Sequence, residues 1–400
     1  RNGAGRIETC IKACQNIDYH DFEIIVVNDG SADGTAKLLD QQKEIRAFHL
    51  EPSGLSAARN HGAAQATGEI LAFTDDDCRP DEQWLTWLAH AYSESNHAAI
   101  GGPNLAPKPE SLALALTTAA PGAPTHVMID DLTAEHLPGC HLSVKKSAFA
   151  QIEGFDPIFH TAGDDVDFCW RLRDAGFTLG FSGASFVWHH RRATPWKYLK
   201  QQMGYGHAEA LLFKKHPHRF SEGGIRWEGC VYRGIALGIE PGDFIYSGPT
   251  GEAPYQSLGK MLRQPMRGLH PNFDTPITRI LLTLLSWLQN HLRHWKRKQN
   301  GGPSTRSNWP KSPLADSHTT SQLILTHADG LGRYELYRLL LEHGWQPCSD
   351  PYFDLQCGSC KLLAATEQTG TPANRTFLAL SEPSSGLNTL ALKGGFVTSN

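Results

Sequence analysis

Apolar positions along the chain gather into short runs that end in acidic clusters. Glu23 to Val27 reads EIIVV, a continuous apolar run bounded by NDGSADGT, which predicts a buried strand feeding a loop and then a helix over 35–42. A second run, Glu69 to Phe73, ends at Asp75-Asp76-Asp77, and the intervening GLSAARNHGAAQATG is Ala-rich with helical spacing. Strand, helix, strand predicts a doubly wound α/β sheet. Ligands of such sheets sit beyond the carboxyl ends of the strands, where both acidic clusters fall.

A Pro- and Gly-bearing stretch over 101–124 interrupts the pattern, after which GCHLSVKKSAFAQIEGFDPIF resumes strand and helix. GDDVDFCWRLRDAGF predicts a helix from Asp165 to Asp174 with acids in its first turn and Asp164 as its N-cap, and TLGFSGASFVWHHRR predicts a further strand. This core closes near Phe220. Ile277, Leu281, Leu284, Leu288, Leu292 and Trp295 then recur at helical spacing ahead of Lys296, Arg297 and Lys298, so one amphipathic helix with a basic end is expected. Its stripe is assigned to the core; a peripheral membrane contact through Ile277–Lys298, the basic end meeting anionic lipid, is the alternative. Interrupted at Gln289, Asn290 and His291, the run falls short of the roughly 20 apolar residues of a bilayer span. QNGGPSTRSNWPKSPLADS is linker-like in composition, and beyond it RYELYRLLLEHGW reads as a helix closed by Gly344, with FDLQ, KLLAAT, RTFLAL and TLALK as strands. The expected division is 1–220, an extension over 221–298, a linker over 299–318 and a small α+β domain over 319–400.

Composition narrows the class of function. At about 150 residues per domain, 400 residues fit two or three domains. A formal net charge of −4 argues against a nucleic-acid binder that works by neutralising phosphates. Nine cysteines, scattered and odd in number, do not make the paired framework of a small secreted domain, so free thiols and a reducing, cytoplasmic setting are expected, at most at the cytoplasmic face of a membrane. The opening RNGAGRIETCIKAC holds no apolar signal core. No P-loop, no G-x-G-x-x-G opening a helix and no G-x-S-x-G occurs, which removes the usual kinase, dehydrogenase and hydrolase readings.

Asp75-Asp76-Asp77 is the sharpest chemical signal, because like charges about 4 Å apart repel by around 4 kcal/mol at an effective dielectric of 20. A cation removes that penalty. On an extended segment Asp75 and Asp77 share a face and Asp76 points away, so two carboxylates converge on one hard ion, Mg²⁺ or Mn²⁺; a solvated turn is the alternative. Asp29 also follows a strand, and is either part of a tight turn before the helix at Thr35 or an acceptor for a nucleobase imide hydrogen. Its loop falls at calcium-loop positions by chance, since a strand and not a helix precedes it. Asp164, Asp165 and Asp167 are each stabilised by a helix dipole without any function, but three in four residues suggest that one is a general base. His189 and His190 point to opposite faces, so at most one can face a site. Cys357-Gly-Ser-Cys360, with Cys348 and His343, is assigned to structural thiols rather than zinc.

Through VVNDGSADGT, GLSAARNHGAAQATGEILAFTDDDCRPDEQWL and GFDPIFHTAGDDVDFCWRLRDAGF, in that order, the sequence resembles the family 2 glycosyltransferases of the GT-A fold over about residues 1–220. The resemblance implies a Rossmann-like mixed sheet and an inverting transfer of a sugar from a nucleotide-diphosphate donor to a hydroxyl of a glycan, lipid-linked or small-molecule acceptor. It implies that Asp29, Arg59, Asp75 and Asp76 meet the donor, that Asp75 and Asp77 hold the metal with His189, and that Asp165 is the general base with Asp164 and Asp167 on the acceptor side. Asp164 stands where the family usually has Glu. The family opens with a strand that would precede Arg1-Asn2-Gly3, and its processive members carry a late Gln-x-x-Arg-Trp, against which this sequence has only Gln201-Gln202-Met203-Gly204-Tyr205. One sugar per encounter is therefore expected. A nucleotide-sugar pyrophosphorylase and a non-catalytic carbohydrate- or partner-binding module are the competing readings.

Overall fold

The computed structural model describes residues 1–129, 132–221, 224–228, 230–231, 245–247, 269–303, 321–327, 333–347, 355–368, 374–381, 386–387, 390 and 393–398. Helix α1 (Ile7–Gln15) buries Ile7 and Ile11 against Leu39 of α2 (Thr35–Asp40), beneath the parallel pair β1 (Ile25–Asp29) and β2 (Arg46–Leu50). The first strand thus lies two residues later than EIIVV suggests: Asn28 and Asp29 pair with His49 and Leu50, so the acidic residue ends the strand instead of following it. Next come α3 (Leu55–Gln65), β3 (Ile70–Thr74), β4 (Cys78–Pro80), α4 (Trp84–Ser93), β5 (Ala99–Gly101), β6 (Asn104–Leu105), α5 (Leu112–Ala119), β7 (Val127–Met128), β8 (Thr133–His136) and β9 (His141–Lys145). They are followed by α6 (Lys146–Gln151), α7 (Asp164–Asp174), β10 (Leu179–Phe181), β11 (Val187–His189), α8 (Pro195–Lys215), β12 (Phe220–Ser221), β13 (Gly224–Ile225) and β14 (Cys230–Val231).

The main sheet has the order β14-β7-β8-β10-β5-β9-β3 and is mixed, with β5 and β10 parallel and the other neighbours antiparallel. Its apolar face meets Phe168, Cys169 and Leu172 of α7, with Leu71, Val144, Leu179 and Phe155 closing the core. This is the expected α/β class, with one difference: β1 and β3 do not share a sheet, and the β1–β2 pair stands apart. A small third sheet, β4-β11-β6, carries Cys78 and His189 side by side across an antiparallel pair.

Packing continues past Phe220. β14 adds to the edge of the main sheet, and Ile225 and Trp227 rest on the cluster of Trp170, Phe159 and Leu212. Helix α9 (Pro276–Gln299) runs parallel to α8, with Gln289 donating to Gln202 at 2.9 Å and Arg293 and Arg297 reaching Glu209. The side of α9 that enters the core is Thr278, Leu282, Leu285 and Gln289, not the stripe that runs from Ile277 to Trp295. That stripe is exposed except at Leu292, which corrects its assignment to the core; two helical faces a quarter-turn apart are both apolar, and spacing alone did not tell which one α5 and α8 cover.

Toward the carboxyl end, strands Ser321–His327, Leu355–Cys357, Cys360–Gln368, Asn374–Leu380 and Phe396–Thr398 pair antiparallel around a core of Leu325, Leu362 and Leu378, backed by Leu336 and Leu340 of the helix Arg333–Glu342. Cys357 and Cys360 face each other across a hairpin as free thiols. The linker over 304–318, Cys348 and most of TLALK lie outside the described residues.

Candidate active site

Asp29 is buried at the end of β1, where the chain turns into Gly30. Its Oδ1 accepts from the Ser53 N–H at 2.6 Å, the Ser53 hydroxyl at 3.1 Å and the Gly54 N–H at 3.1 Å. Against the cost of burial, these donors hold the carboxyl below its usual range. Among the described residues Oδ2 makes no hydrogen bond, so an ionised acceptor is presented. Residues 2–6 tie this loop to the Asp75 segment: Gly3 donates to Thr35, Ala4 to Asp33, and Arg6 pairs with Asp76 at 2.8 Å.

Asp75-Asp76-Asp77 is a turn, closed by the Cys78 N–H donating to the Asp75 carbonyl at 2.9 Å. The alternation expected of an extended segment does not apply, and the three carboxylates take three different partners. Asp76 faces Arg6, Asp75 faces Arg59 at 2.8 Å, and Asp77 faces Arg192 at 2.7 Å and His189 at 3.4 Å. Burial and the neighbouring Asp77 push Asp75 above the usual carboxylate range, with Arg59 pulling the other way. For Asp77 burial opposes ionisation, but His189 and Arg192 overcome it and hold the group well below that range.

Arg59 is the hub. It projects from α3, buried, and its guanidinium holds Asp75, Asp164 and the Gly139 carbonyl, the last at 3.0 Å, so one side chain binds the turn after β3, the start of α7 and the loop before β9. Its donors face these protein acceptors. Gly54, at φ +96°, opens α3, and a Cβ there would lie 2.4 Å from His160 Nδ1.

Helix α7 starts at Asp164, and its N-cap is Gly163 at φ +83°, so Asp164 is the first helical residue and not the cap. Burial raises the Asp164 pKa to about 6, with Arg59 resisting the shift. Asp165 is different. Although burial opposes it, His136, the Gly139 N–H at 3.0 Å and Arg59 bring Asp165 down to about 2. His136 donates from Nδ1 to the Thr125 carbonyl at 2.9 Å, and its Nε2 stands 3.7 Å from Asp165 Oδ2. Asp167 is not an acceptor-side residue: it is fully buried, bound by Arg171, Lys215 and His216 on the inner side of the helix.

His189 is the histidine that faces the site, as strand alternation requires. Arg191 approaches its Nδ1 at 2.9 Å and its Nε2 stands 3.4 Å from Asp77; although burial opposes it, Cys140 and Asp77 raise its pKa to about 9. The buried Cys78, Cys140 and His189 place their ligand atoms within 4.8 Å of one another. Asp75 and Asp77 are carboxylates of one turn, the charge of Asp77 disfavours ionisation of Asp75, and oxygen is the donor type that hard divalent ions prefer. Arg192, Arg191, His136 and Gly139 were missed in the sequence, although HHRR after a strand carried a readable signal of cations near the acidic turn.

A family model described as glycosyl transferase family 2 matches residues 1–152. The pre-mycofactocin glycosyltransferase of Mycobacterium tuberculosis is 28% identical over 230 residues, 55% of this chain and 47% of that protein. Glycosyltransferase AglE of Haloferax volcanii is 30% identical over 193 residues, 45% of this chain and 61% of that protein. The chain thus spans about half the length of the first relative and less than two thirds of the second. A mannosyltransferase from Pyrobaculum calidifontis, in complex with GDP-Man and Mn²⁺, superposes with a TM-score of 0.40 at 16% identity, covering 78% of this chain and 74% of that one, a likeness too loose to carry an argument. The match to the glycosyl transferase family 2 model thus covers the stretch that carries Asp29, Arg59 and the Asp75-Asp76-Asp77 turn.

Proposed function

We propose that this protein transfers a sugar from a nucleotide-diphosphate donor to an acceptor hydroxyl, with inversion, one sugar per encounter, and with Mg²⁺ or Mn²⁺ held by Asp75 and Asp77. The observation that carries the reading is the convergence, through Arg59, of the acidic turn after β3 on the first turn of α7. Asp29 Oδ2 offers an acceptor to the imide hydrogen of a base. The ion, when bound, neutralises charge on the departing diphosphate. His189 Nε2–H and Arg192 supply further donors on that side.

Two carboxylates compete for the acceptor's proton. Asp164 has the pKa better matched to a base, but its side chain is 3% exposed and held by Arg59, whereas Asp165 is 23% exposed and within reach of an acceptor. We assign the base to Asp165. A carboxylate with a pKa of about 2 takes the proton late, as the new C–O bond forms and the hydroxyl turns acidic.

Calorimetry of a panel of nucleoside diphosphates with Mn²⁺ tests donor and metal together, and the released nucleotide tests the reaction. Nucleoside diphosphate released from a nucleotide sugar is the expected product. Pyrophosphate would mark a pyrophosphorylase, and binding without any turnover a non-catalytic module.

A further inference from the structure

One side of α9 is apolar and faces solvent. Ile277, Ile280, Leu284, Trp287, Leu288 and Trp295 are 70, 61, 52, 58, 39 and 53% exposed. At 3.6 residues per turn they fall within an arc of about 120°, and the line that enters the core lies beside that arc. Surface helices of a folded domain usually turn their second face to charged and polar residues. This one shows two tryptophans and four aliphatic side chains instead.

Charge selects the occupant. The sequence Pro276–Gln299 contains no Asp or Glu. Of its cations, Arg279 pairs with Asp274, and Arg293 and Arg297 with Glu209, while Lys298 is exposed in the last turn and Lys296 lies 5.4 Å over the Trp295 ring. An apolar arc with interfacial tryptophans, a cationic end and no acid matches an anionic phospholipid surface. A second copy of the same face would bring no carboxylate to these lysines. No helix among the described residues is long and apolar enough to cross a membrane, so the fitting geometry is a helix lying in the headgroup plane.

We propose that α9 docks the protein onto anionic bilayers, with Ile277, Ile280, Leu284, Trp287, Leu288 and Trp295 inserted at the headgroup boundary and the Lys296–Lys298 end on the lipid phosphates. The proposal does not depend on the transfer reaction, and its test reads lipid binding alone.

The test is co-sedimentation of the full chain with vesicles of phosphatidylcholine, alone or mixed with phosphatidylglycerol. The chain should pellet with the mixed vesicles and much less with phosphatidylcholine or at high salt. Leu284→Glu combined with Trp287→Glu should weaken binding roughly ten-fold or more, and Lys296→Gln with Lys298→Gln by a smaller factor. Both pairs lie outside the candidate active site, and a melting curve confirms the fold of each; Trp287→Ser with Trp295→Ser repeats the test should the glutamate pair fail to fold. No binding to mixed vesicles, or unchanged binding by folded variants of the apolar face, overturns the proposal. So does a dimer of the parent chain that the same substitutions turn into a monomer while vesicle binding stays as it was, which would give the face to a second copy.

Discussion

Asp164 and Asp165 are adjacent in sequence and sit on opposite sides of the ordinary carboxylate pKa. The reference value near 3.9 is raised to about 6 at Asp164 and lowered to about 2 at Asp165. Linkage gives each a sign. Asp164 favours the fold fully below about 3.9 and loses that contribution as pH rises through about 6; Asp165 contributes above about 3.9 and loses its share as pH falls through about 2. Protonation of Asp164 also releases Arg59, so transfer should show an acid limb near pH 6 that disappears in Asp164→Asn, read from kcat against pH. Asp165→Asn should keep donor affinity and lower transfer by about 10²- to 10⁴-fold at every pH. Normal turnover in that variant, with Asp164→Asn folded and inactive, would move the base to Asp164. Asp77→Ala should abolish metal-dependent donor binding while the fold persists, and His189→Ala should reduce activity less, because its role is to donate and to orient Asp77. If His190→Ala is the more damaging change, the strand facing inferred here is wrong.

At the scale of elements, the site depends on where two helices begin. Gly163 allows the chain to enter α7 at φ +83°, and a Cβ there would come within 3.0 Å of Ala208. Gly163→Ala should therefore cost about 1–3 kcal/mol, visible as a lower melting temperature, with turnover falling as Asp164 and Asp165 shift together. The turn after β3 is equally local. The Cys78 N–H closes it onto the Asp75 carbonyl, and this bond is what sends the three carboxylates to Arg59, Arg6 and Arg192 separately.

At the scale of the whole molecule, α9 is held to the rest by close backbone approach as much as by side chains. A Cβ on Gly206 would lie 2.2 Å from the Arg293 carbonyl oxygen, an atom that cannot move without its helix. Gly206→Ala should cost about 1–3 kcal/mol and loosen α9, seen as faster amide exchange over 276–299. Donor affinity should change less than stability, because Asp29 is held by Ser53 and Gly54 and Asp75 by Arg59, none of them on α8 or α9.

The strands around 23–27 and 69–73 with the helix between them, the two acidic clusters beside them and the helix that carries Asp164 and Asp165 were legible in the sequence. Each is a local pattern: an apolar run, a Gly-bounded helix, a cluster of like charge that needs a partner. What lay outside that reach was every question of which groups meet. Arg59 reads as one cation in an Ala-rich helix, and only the fold makes it the common partner of Asp75 and Asp164. Asp167 reads like Asp165 two residues before it, yet the helix turns it inward to Lys215 and His216. The stripe of α9 has the period of a core face, but its buried neighbours are Leu282 and Leu285, because periodicity reports that a face is apolar and only tertiary packing decides what covers it.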